Sequence, residues 1–593
     1  SINLTFGLYH LGEKSVVDEP LWISNEGRVL DFWDNLKEGE LWKTKISDKP
    51  GVTVAIISGL GLNFVQREEI APEKTVSSSK PVKVNFSFRF PILIFNLLML
   101  FVFYYFLKNL FNQNTALFSL VFIGTSPAII GLSTIVNPDA LLWSFLPISL
   151  LSLLTFLKNQ KNHFLYWSGV FLGLALLTKY VANILYVFFI FLFFFNLVLN
   201  YKKSKNSSFS ETAKKCLKDY LVLVAMSLMT IYLLLPEIWV NPGQILKLTL
   251  LSEAFIKVYP LFLIILALLA LDIYLLKSFV LEKLHNFFAK SRNLIVKLIS
   301  VVFLILVGLT LVNVFSKMKL YDFEAVLLSP RSPSFPDDFF QMMFTDFYII
   351  CFGIALTAFI PIVFLLIKNI FYKKSKTENF YWSACLLIFI LLYYLGSTVN
   401  EVIATVRYQI IIFPLMFILA AIGVDEFFLS LKIKNKTKDY LKIALLCLFS
   451  LISVYNLYSI KPFYLSYANS LLPKEYIINL KDMGEGSYEA AEYLNSLANP
   501  EELIVWTDRR GVCAFFKGTC LSGQDDFYQN EDKMDYLILF AGNRNRTVRT
   551  VHADYLRELY TVEGPSDFYL KKGTREKDFV KVINAKKIDK YNN

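Results

Sequence analysis

Long apolar runs, separated by short polar loops, dominate the first 460 positions of the chain. A run of about 20 apolar residues is long enough for a helix to cross the ~30 Å hydrocarbon core of a bilayer. The pattern predicts twelve membrane-spanning helices, at 90–108, 115–134, 140–157, 163–178, 180–199, 219–236, 258–276, 295–315, 346–368, 380–397, 408–430 and 441–459. The fold class is therefore an all-α polytopic membrane helix bundle.

Residues 2–11 have the pattern of the end of one more span, and the chain begins with Ser rather than Met. We expect most of a first helix to be missing, which would bring the total to thirteen spans. Residues 1–88 then comprise the end of that helix and a large first loop, and residues 89–459 form the helix bundle.

Residues 460–593 have an ordinary polar composition and enough length for one small domain. The segment 487–494 predicts an amphipathic helix with Ser487 as its cap. The segments 503–506 and 536–540 predict short buried strands. We expect a small α/β domain.

The net charge of +11 comes from lysines concentrated in alternate loops between the apolar runs, at 158–161, 202–218, 277–297, 368–376 and 432–442. Loops rich in Lys and Arg face the cytoplasm. The loops 18–88, 134–139, 237–257, 316–345 and 398–407, and the domain 460–593, are then extracytoplasmic. The pattern predicts a multi-pass protein of the plasma or inner membrane, with the lipid bilayer rather than nucleic acid as its partner.

Cys513 and Cys520 lie in this C-terminal domain and either form a local disulfide in an oxidising compartment or remain two buried thiols. The other four cysteines lie in or beside apolar runs, where they act as small apolar residues. With only four His in the chain, no spacing resembles a zinc site.

Two acidic motifs are candidates for chemistry. Asp18 and Glu19 precede Pro20 at the start of the first loop, where they are either a solvated helix start or reactive carboxylates. Asp139 follows Asn137 and Pro138 in a very short loop, where an N-cap is the simpler interpretation. An Asp at that position would also face the acids of the first loop.

Three cations stand out because the loops assigned to the outside contain few of them: Lys49, Lys179 and Arg407. Each alone is most simply an interfacial side chain that reaches toward water. If they converge, they form an anion site suited to a phosphate. Glu237 is a further candidate acid, Trp239 is typical of the aromatic belt at a membrane surface, and the Pro-containing loop 316–345 is long enough to cover a site.

Five passages together resemble a known family. They are Asp18-Glu19, Asn137-Pro138-Asp139, Leu176-Leu177-Thr178-Lys179, Arg407-Tyr408 before Pro414, and residues 461–469 followed by 484–491. In order and sidedness they resemble the membrane glycosyltransferases of the C-type fold that use polyprenyl-phosphate sugars. The likeness is to the prokaryotic relatives of protein O-mannosyltransferases and of the aminoarabinose transferase acting on lipid A.

The resemblance implies a bundle of the same fold with thirteen spans, a polyprenyl-phosphate sugar donor and a hydroxyl acceptor that is a protein, a lipid or a glycan. By position, it implies Asp18 as catalytic base, Glu19 and Asp139 as further site acids, and Lys179 and Arg407 as ligands of the donor phosphate. The His and Pro signatures of the eukaryotic protein mannosyltransferases are absent from the first loop, and Lys49-Pro50-Gly51 matches the family's Pro-rich stretch only in part.

These residues suit an inverting single displacement. A carboxylate takes the proton of the attacking hydroxyl, and cations stabilise the departing phosphate. No metal is required, although Asp18 and Asp139 leave room for a divalent ion. The alternative is a transporter or flippase of lipid-linked sugars, which would hold ionisable residues at the midplane of its helices. The predicted spans are nearly free of charge, which favours the transferase.

Overall fold

The computed structural model describes the chain apart from residues 1, 17, 48–49, 71–79, 202–207, 254, 317–346, 372–378, 401–404, 475–482, 542–546, 548–550, 552–555, 557–558, 561–565, 576–577 and 589–593. The described part is a helix bundle followed by a small sheet domain, which confirms the predicted fold class.

In the described part of the chain, eight helices are long and apolar enough to cross a membrane. They are Pro81–Leu110, Asp139–Asn159, Tyr180–Asn200, Phe209–Leu234, Phe279–Phe315, Asn379–Val399, Ile412–Ser430 and Asn435–Ile460. The first turn of Tyr180–Asn200 is a 3-10 helix, and Phe279–Phe315 consists of Phe279–Phe288, a 3-10 turn at Ala289–Ser291 and Arg292–Phe315. A ninth span results if Gln113–Gly124 and Pro127–Ser133, which meet at a bend of 63°, count as one.

The structure thus differs from the predicted count of twelve spans. The runs 163–178, 258–276 and 346–368 fall on shorter helices, Asn162–Thr178, Tyr259–Tyr274 and Leu356–Phe371, with 17, 16 and 16 residues. Such helices are about 25 Å long, less than the hydrocarbon core. The helix in the run 258–276 ends at Tyr274, and Lys277 and Ser278, which follow closely, adopt a left-handed backbone conformation that is incompatible with its continuation.

The run 346–368 is interrupted between a helical segment at 347–353 and the helix that begins at Leu356. Asn469, from the segment that follows the bundle, fills this break. Its side-chain amide donates to the carbonyls of Cys351 and Ile354, each at 2.7 Å. Carbonyls that a helix end leaves unpaired are thereby satisfied by a residue more than 100 positions away.

Helix Asp139–Asn159 lies at the centre of the bundle and is buried from Asp139 to Leu157. The amide of Asn96, on Pro81–Leu110, donates to the carbonyl of Ala140 at 2.8 Å. This bond ties the start of the central helix to its neighbour. The position of Asp139, the first residue of that helix, is therefore determined by close packing.

The first loop folds onto the bundle through short helices, which are Pro20–Ile23, Arg28–Lys37, Leu41–Lys43, Val52–Ser58, Gly59–Asn63 and Arg67–Glu69. Gly51 has a positive φ of 64°, and a Cβ there would collide with the ring of Trp22. The Gly51 amide donates to the carbonyl of Thr178 at 3.1 Å. The hydroxyls of Thr53 and Thr178 are 2.7 Å apart. These contacts hold the loop beside Lys179.

The C-terminal domain contains a five-stranded sheet in the order β2-β1-β3-β5-β4. The strands are β1 Ile504–Thr507, β2 Thr519–Leu521, β3 Tyr536–Phe540, β4 Phe568–Lys571 and β5 Asp578–Asn584. β1 is parallel to β2 and β3, and β5 is antiparallel to β3 and β4. Both predicted strands are confirmed.

The predicted helix is present as Ser487–Asn495, but its cap is Gly486 rather than Ser487. Gly486 has a φ of 90°, which favours glycine. Cys513 and Cys520 form a disulfide, one of the two alternatives that the sequence left open. The remaining short helices are Ile2–Leu8, Glu237–Val240, Gln244–Leu248, Tyr464–Ser466, Pro500–Glu502, Arg510–Ala514, Gln524–Asn530, Glu531–Lys533 and Ala585–Lys587.

Candidate active site

Four of the predicted site residues meet at one end of the bundle, each placed there by the end of a helix. Asp18 lies in the turn before Pro20–Ile23, and Asp139 begins the central helix. Lys179 follows Asn162–Thr178 directly, and Arg407 lies in the turn that precedes Ile412–Ser430. Helix ends that share one end of a bundle bring together side chains that are distant in sequence.

Asp139 is the centre of this cluster. Its Oδ1 accepts from Lys179 Nζ at 2.8 Å, and its Oδ2 accepts from Nε of Arg407. Nη1 of Arg407 in turn donates to the carboxylate of Asp18. The exposed fraction of the side chain rises from 1% at Asp139 to 29% at Asp18. The cluster is therefore a chain of alternating charges whose open end is Asp18.

Asp139 does not serve as the N-cap that its sequence position suggested. Pro138 occupies the cap position and makes no side-chain cap bond. The amide of Asp139 donates instead to Oδ1 of Asn137 at 3.0 Å. The carboxylate of Asp139 is thus committed to the two cations rather than to the helix backbone.

Electrostatics keep Arg407 charged. Burial opposes the charged form, but the carboxylates of Asp139 and Asp18 outweigh it and raise the pKa of Arg407 above its usual range. The ring of Tyr408 lies under both cations, 4.7 Å from Lys179 Nζ and 5.5 Å from the guanidinium carbon of Arg407. An aromatic face stabilises a nearby cation. The ring of Tyr408 therefore faces both cationic side chains of the cluster.

Glu19 points away from this cluster, although it adjoins Asp18 in sequence. It is 3% exposed, and its Oε1 accepts from Arg89 Nε at 2.9 Å and from the amide of Val136 at 2.7 Å. Its Oε2 accepts from Nη2 of Arg89. Both oxygens are engaged inside the protein, so the geometry suits Glu19 to holding the loop rather than to contacting a substrate.

Arg89 contributes to the geometry beside Asp18, and the sequence argument did not predict it. It is fully buried on helix Pro81–Leu110, and besides Glu19 it donates to the carbonyls of Leu11 at 2.6 Å and Lys14 at 2.8 Å. One side chain thus fixes both ends of the segment that leads to Asp18. A lone arginine at the start of an apolar run is a signal that could have identified it, because charges in such helices are costly.

The C-terminal domain also reaches the cluster. Sδ of Met483 lies 3.9 Å from Nη1 of Arg407. A Cβ on Gly484, which has a φ of 115°, would stand 2.6 Å from the carbonyl oxygen of Ser15. The segment that enters helix Ser487–Asn495 therefore packs directly against the loop of Asp18. No sequence motif indicated this contact.

Other predicted site residues lie apart from the cluster. Glu237 is buried beside the first loop, where its amide donates to Thr44 Oγ1 at 2.9 Å, and burial raises its pKa. Trp239 is 47% exposed and donates from its indole nitrogen to the carbonyl of Tyr232 at 2.6 Å. In the described part of the chain, no hydrogen bond or ion pair joins either residue to Asp139. Lys49 and most of the loop 316–345 lie outside the described residues.

The donor set of the cluster does not suit a metal ion. Within the described ranges, no group of three or more His, Cys, Asp or Glu side chains is placed to hold one. Asp18 and Asp139 share Arg407 between them. A divalent ion between the two carboxylates would have to displace that guanidinium, so the residues present fit an anion better than a cation.

Comparison with known proteins gives one family match. Residues 82–210, which include Asp139 and Lys179, match the family model described as dolichyl-phosphate-mannose-protein mannosyltransferase. No curated protein matches the sequence.

Two solved structures are similar over most of the chain. An apo oligosaccharyltransferase from Archaeoglobus fulgidus is 13% identical, with a TM-score of 0.41, and the alignment covers 94% of this chain and 72% of that one. ArnT from Cupriavidus metallidurans bound to undecaprenyl phosphate is 10% identical, with a TM-score of 0.38, covering 98% of this chain and 96% of that one. At these TM-scores neither similarity carries an argument about the present chain. The family match confirms, over residues 82–210, the resemblance to the membrane glycosyltransferases of the C-type fold that the sequence motifs indicate.

Proposed function

We propose that the chain is a glycosyltransferase that moves a sugar from a polyprenyl-phosphate donor to a hydroxyl acceptor on the outer face of the membrane. The observation that carries this proposal is the pairing of two cations with one buried acid, next to a more exposed carboxylate. The description of the family that residues 82–210 match names dolichyl-phosphate-mannose, which is a lipid-phosphate sugar like the proposed donor.

Lys179 and Arg407 are the proposed ligands of the donor phosphate. Asp139 uses one donor of Lys179 and Nε of Arg407. Among the described residues, no hydrogen bond engages Nη2 of Arg407, and an ammonium group has three donors. The cations thus retain donors for phosphate oxygens, while Asp139 holds them in place.

Asp18 is the proposed catalytic base. It is the most exposed member of the cluster, and it forms an ion pair with the guanidinium group that the donor phosphate would also contact. A phosphate that draws Arg407 toward itself leaves Asp18 free to accept a proton. Donor binding would then prepare the base for the acceptor.

The reaction is a single in-line displacement. The acceptor oxygen forms a bond to the anomeric carbon as the bond from that carbon to the phosphate oxygen breaks. The acceptor proton passes to Asp18, and the bonding electrons leave with the polyprenyl phosphate. The charge that develops on the phosphate is stabilised by Lys179 and Arg407. One displacement inverts the anomeric centre.

The structure supports a positioning role for Glu19 in place of the site acid that the resemblance implies. Its bidentate pair with Arg89 and its bond to the amide of Val136 fix the backbone next to Asp18. Val136 is three residues before Asp139, so Glu19 links the two acidic segments. We infer that Glu19 sets the distance between Asp18 and Asp139 without touching substrate.

The outer location rests on the distribution of lysines, because the cluster lies at the end of the bundle opposite the lysine-rich loops. The plasma or inner membrane is the proposed location, with the domain 460–593 extracytoplasmic. The sugar is proposed only as a hexose or a pentose, and the acceptor as a protein, lipid or glycan hydroxyl.

Ligand binding by the full chain in lipid nanodiscs tests this function. Undecaprenyl phosphate should raise the Tm in proportion to its affinity, whereas undecaprenol, which lacks the phosphate, should not. Equal effects of the two lipids would contradict a phosphate site. A second experiment uses vesicles that contain the chain and a labelled sugar donor. Label that crosses the membrane without becoming covalently attached to an acceptor would indicate a transporter instead.

A further inference from the structure

A narrow surface cleft separates the first loop from the C-terminal domain. Glu13, Lys14 and Ser15 line it on one side, and Glu485, Tyr488 and Glu489 line it on the other. The proposed reaction uses none of these residues. Two chain segments that begin at the candidate active site both lead into this cleft.

The cleft lies close to the reacting groups. Lys14 is four residues from Asp18, which limits their Cα separation to about 14 Å even for extended chain. Met483, which contacts Arg407, is two residues from Glu485. The Nζ of Lys14 donates at 2.9 Å to Oγ1 of Thr134, which is five residues before Asp139 in the chain. A molecule of two or three sugar rings would span this distance.

Some of the lining groups are held by protein contacts, and others are partly exposed. Glu485 accepts from the amide of Leu465 at 3.0 Å and from the ammonium group of Lys572 at 3.3 Å. Glu13 and Glu489 are partly exposed. The ring of Tyr488 stands edge-on to Phe515, with the ring centroids 5.2 Å apart. A flat ring beside carboxylates offers both stacking and hydrogen-bond acceptors.

The charges of the cleft favour a neutral ligand with many hydroxyl groups. Burial and the nearby Glu485 and Glu13 raise the pKa of Glu489 to about 7. Burial and the guanidinium of Arg89 lower the pKa of Lys14 to about 7. Hydroxyl groups that donate to Glu489 and accept from Lys14 would stabilise the charged forms of both. An anionic ligand would instead meet three carboxylates and one ammonium group.

A buried hydroxyl lies next to this lining. Ser487 Oγ is fully buried and has no hydrogen-bond partner among the described residues. A Cβ on Gly511 would lie 2.0 Å from Ser15 Oγ and 3.0 Å from Ser487 Oγ, so the two hydroxyls are neighbours. Gly511 follows β1 at the carboxyl end of the parallel strands, the edge at which α/β sheets bind ligands.

We propose that this cleft is an acceptor subsite that binds a neutral glycan, and that the hydroxyl to be glycosylated extends from it to Asp18. The proposal rests on the proposed transferase function and specifies its acceptor class. The C-terminal domain then selects the acceptor, while the bundle holds the donor.

Saturation-transfer NMR on the full chain in nanodiscs, without donor, tests the subsite. The probes are three neutral trisaccharides, of mannose, of glucose and of N-acetylglucosamine. At least one should bind, and Glu489→Gln and Tyr488→Ala should each weaken it by about tenfold or more, as loss of a charge-assisted bond or of a stacking ring does. Glu492→Gln is the matched control, since Glu492 is exposed on the same helix. It should bind the trisaccharide as the wild type does.

The affinity for undecaprenyl phosphate should be unchanged in all three variants, which separates this subsite from the donor site. The proposal is overturned if none of the trisaccharides binds, or if Glu489→Gln binds the trisaccharide as tightly as the wild type does. It is also overturned if a Ser- and Lys-rich peptide displaces the bound trisaccharide from the cleft. Failure of undecaprenyl phosphate to bind would contradict the proposed function instead, and the trisaccharide measurement does not depend on it.

Discussion

Arg407 donates from Nη1 to the carboxylate of Asp18, which lies 389 positions earlier in the chain. The Nε of the same planar guanidinium holds Asp139. Because the two donors belong to one rigid group, a shift of Arg407 toward a phosphate must loosen at least one of the two carboxylates. Asp139 is also held by Lys179, whereas Asp18 is the more exposed acid. The arrangement thus predicts that Asp18, rather than Asp139, is released when a donor binds.

Replacement of Asp18 tests its proposed role as the catalytic base most directly. Asp18→Asn keeps the shape of the side chain but removes its capacity to accept a proton, so transfer from a polyprenyl-phosphate sugar should fall by a factor of roughly 10² or more. Undecaprenyl phosphate should still bind. Glu26→Gln, at an exposed position of the same loop, is the control. Turnover near that of the wild type in Asp18→Asn would remove Asp18 from the mechanism.

Loss of either cation should weaken donor binding. A charge-assisted hydrogen bond contributes about 1.5–3 kcal/mol, so Lys179→Gln and Arg407→Lys should each raise the Kd for undecaprenyl phosphate by roughly 10- to 100-fold. Arg407→Lys keeps the charge and removes only the planar fork. The double variant should lose less than the product of the two effects, since both cations serve one phosphate. If the two effects on the Kd are strictly additive, or if the Kd is unchanged, Lys179 and Arg407 are interfacial anchors rather than ligands of one phosphate.

The pair of Arg89 and Glu19 should control stability and activity separately. Arg89→Met leaves the buried Glu19 carboxylate without its partner and should cost about 3–5 kcal/mol of unfolding free energy. The double variant Arg89→Met with Glu19→Leu should recover much of that stability, because no unpaired charge remains. The transfer rate of the double variant should stay low, because the ion pair that positions the backbone beside Asp18 is absent. The measurements are thermal unfolding and transfer rate, side by side.

Recovery of full activity in that double variant would show that the ion pair serves folding alone. Lys83→Met, on the same helix and at a partly exposed ion pair with Glu69, is the matched control. It should change the unfolding free energy by at most about 1 kcal/mol.

Transfer should not need a divalent metal. Lys179 and Arg407 already supply positive charge at the position where the phosphate would leave, and Arg407 occupies the space between the two acids. Treatment of the purified chain with EDTA, followed by dialysis, should leave the transfer rate unchanged. A loss of activity that Mg²⁺ or Mn²⁺ restores would contradict this and would reassign Asp18 and Asp139 as metal ligands.

The location of the site can be read from whole cells. Cysteines are introduced at Ser496 in the C-terminal domain or at Thr437 in the first turn of helix Asn435–Ile460, both exposed, after the free cysteines are replaced by alanine. A membrane-impermeant maleimide should label the cysteine at position 496 in intact cells and the one at 437 only after lysis. The opposite pattern would place Asp18 in the cytoplasm, and the proposed reaction on the outer face would fail.

Local features of the chain were predictable from its sequence. Each of the twelve apolar runs coincides with helical structure, because about 20 consecutive apolar residues satisfy both helix formation and burial without distant partners. The short strands at 504–507 and 536–540 and the helix that starts at Ser487 follow from composition and periodicity. The proximity of Cys513 and Cys520 follows from their short separation in the chain.

Only the tertiary structure decided where helices break and which acid faces the cluster. The interruption before Leu356 depends on Asn469, and its hydrogen bonds leave no trace in the apolar pattern. Asp18 and Glu19 are adjacent and chemically alike, yet Arg89 draws Glu19 inward while Arg407 faces Asp18. Such pairs form between residues 70 and 389 positions apart, so packing of the whole bundle, rather than any local preference, determines them.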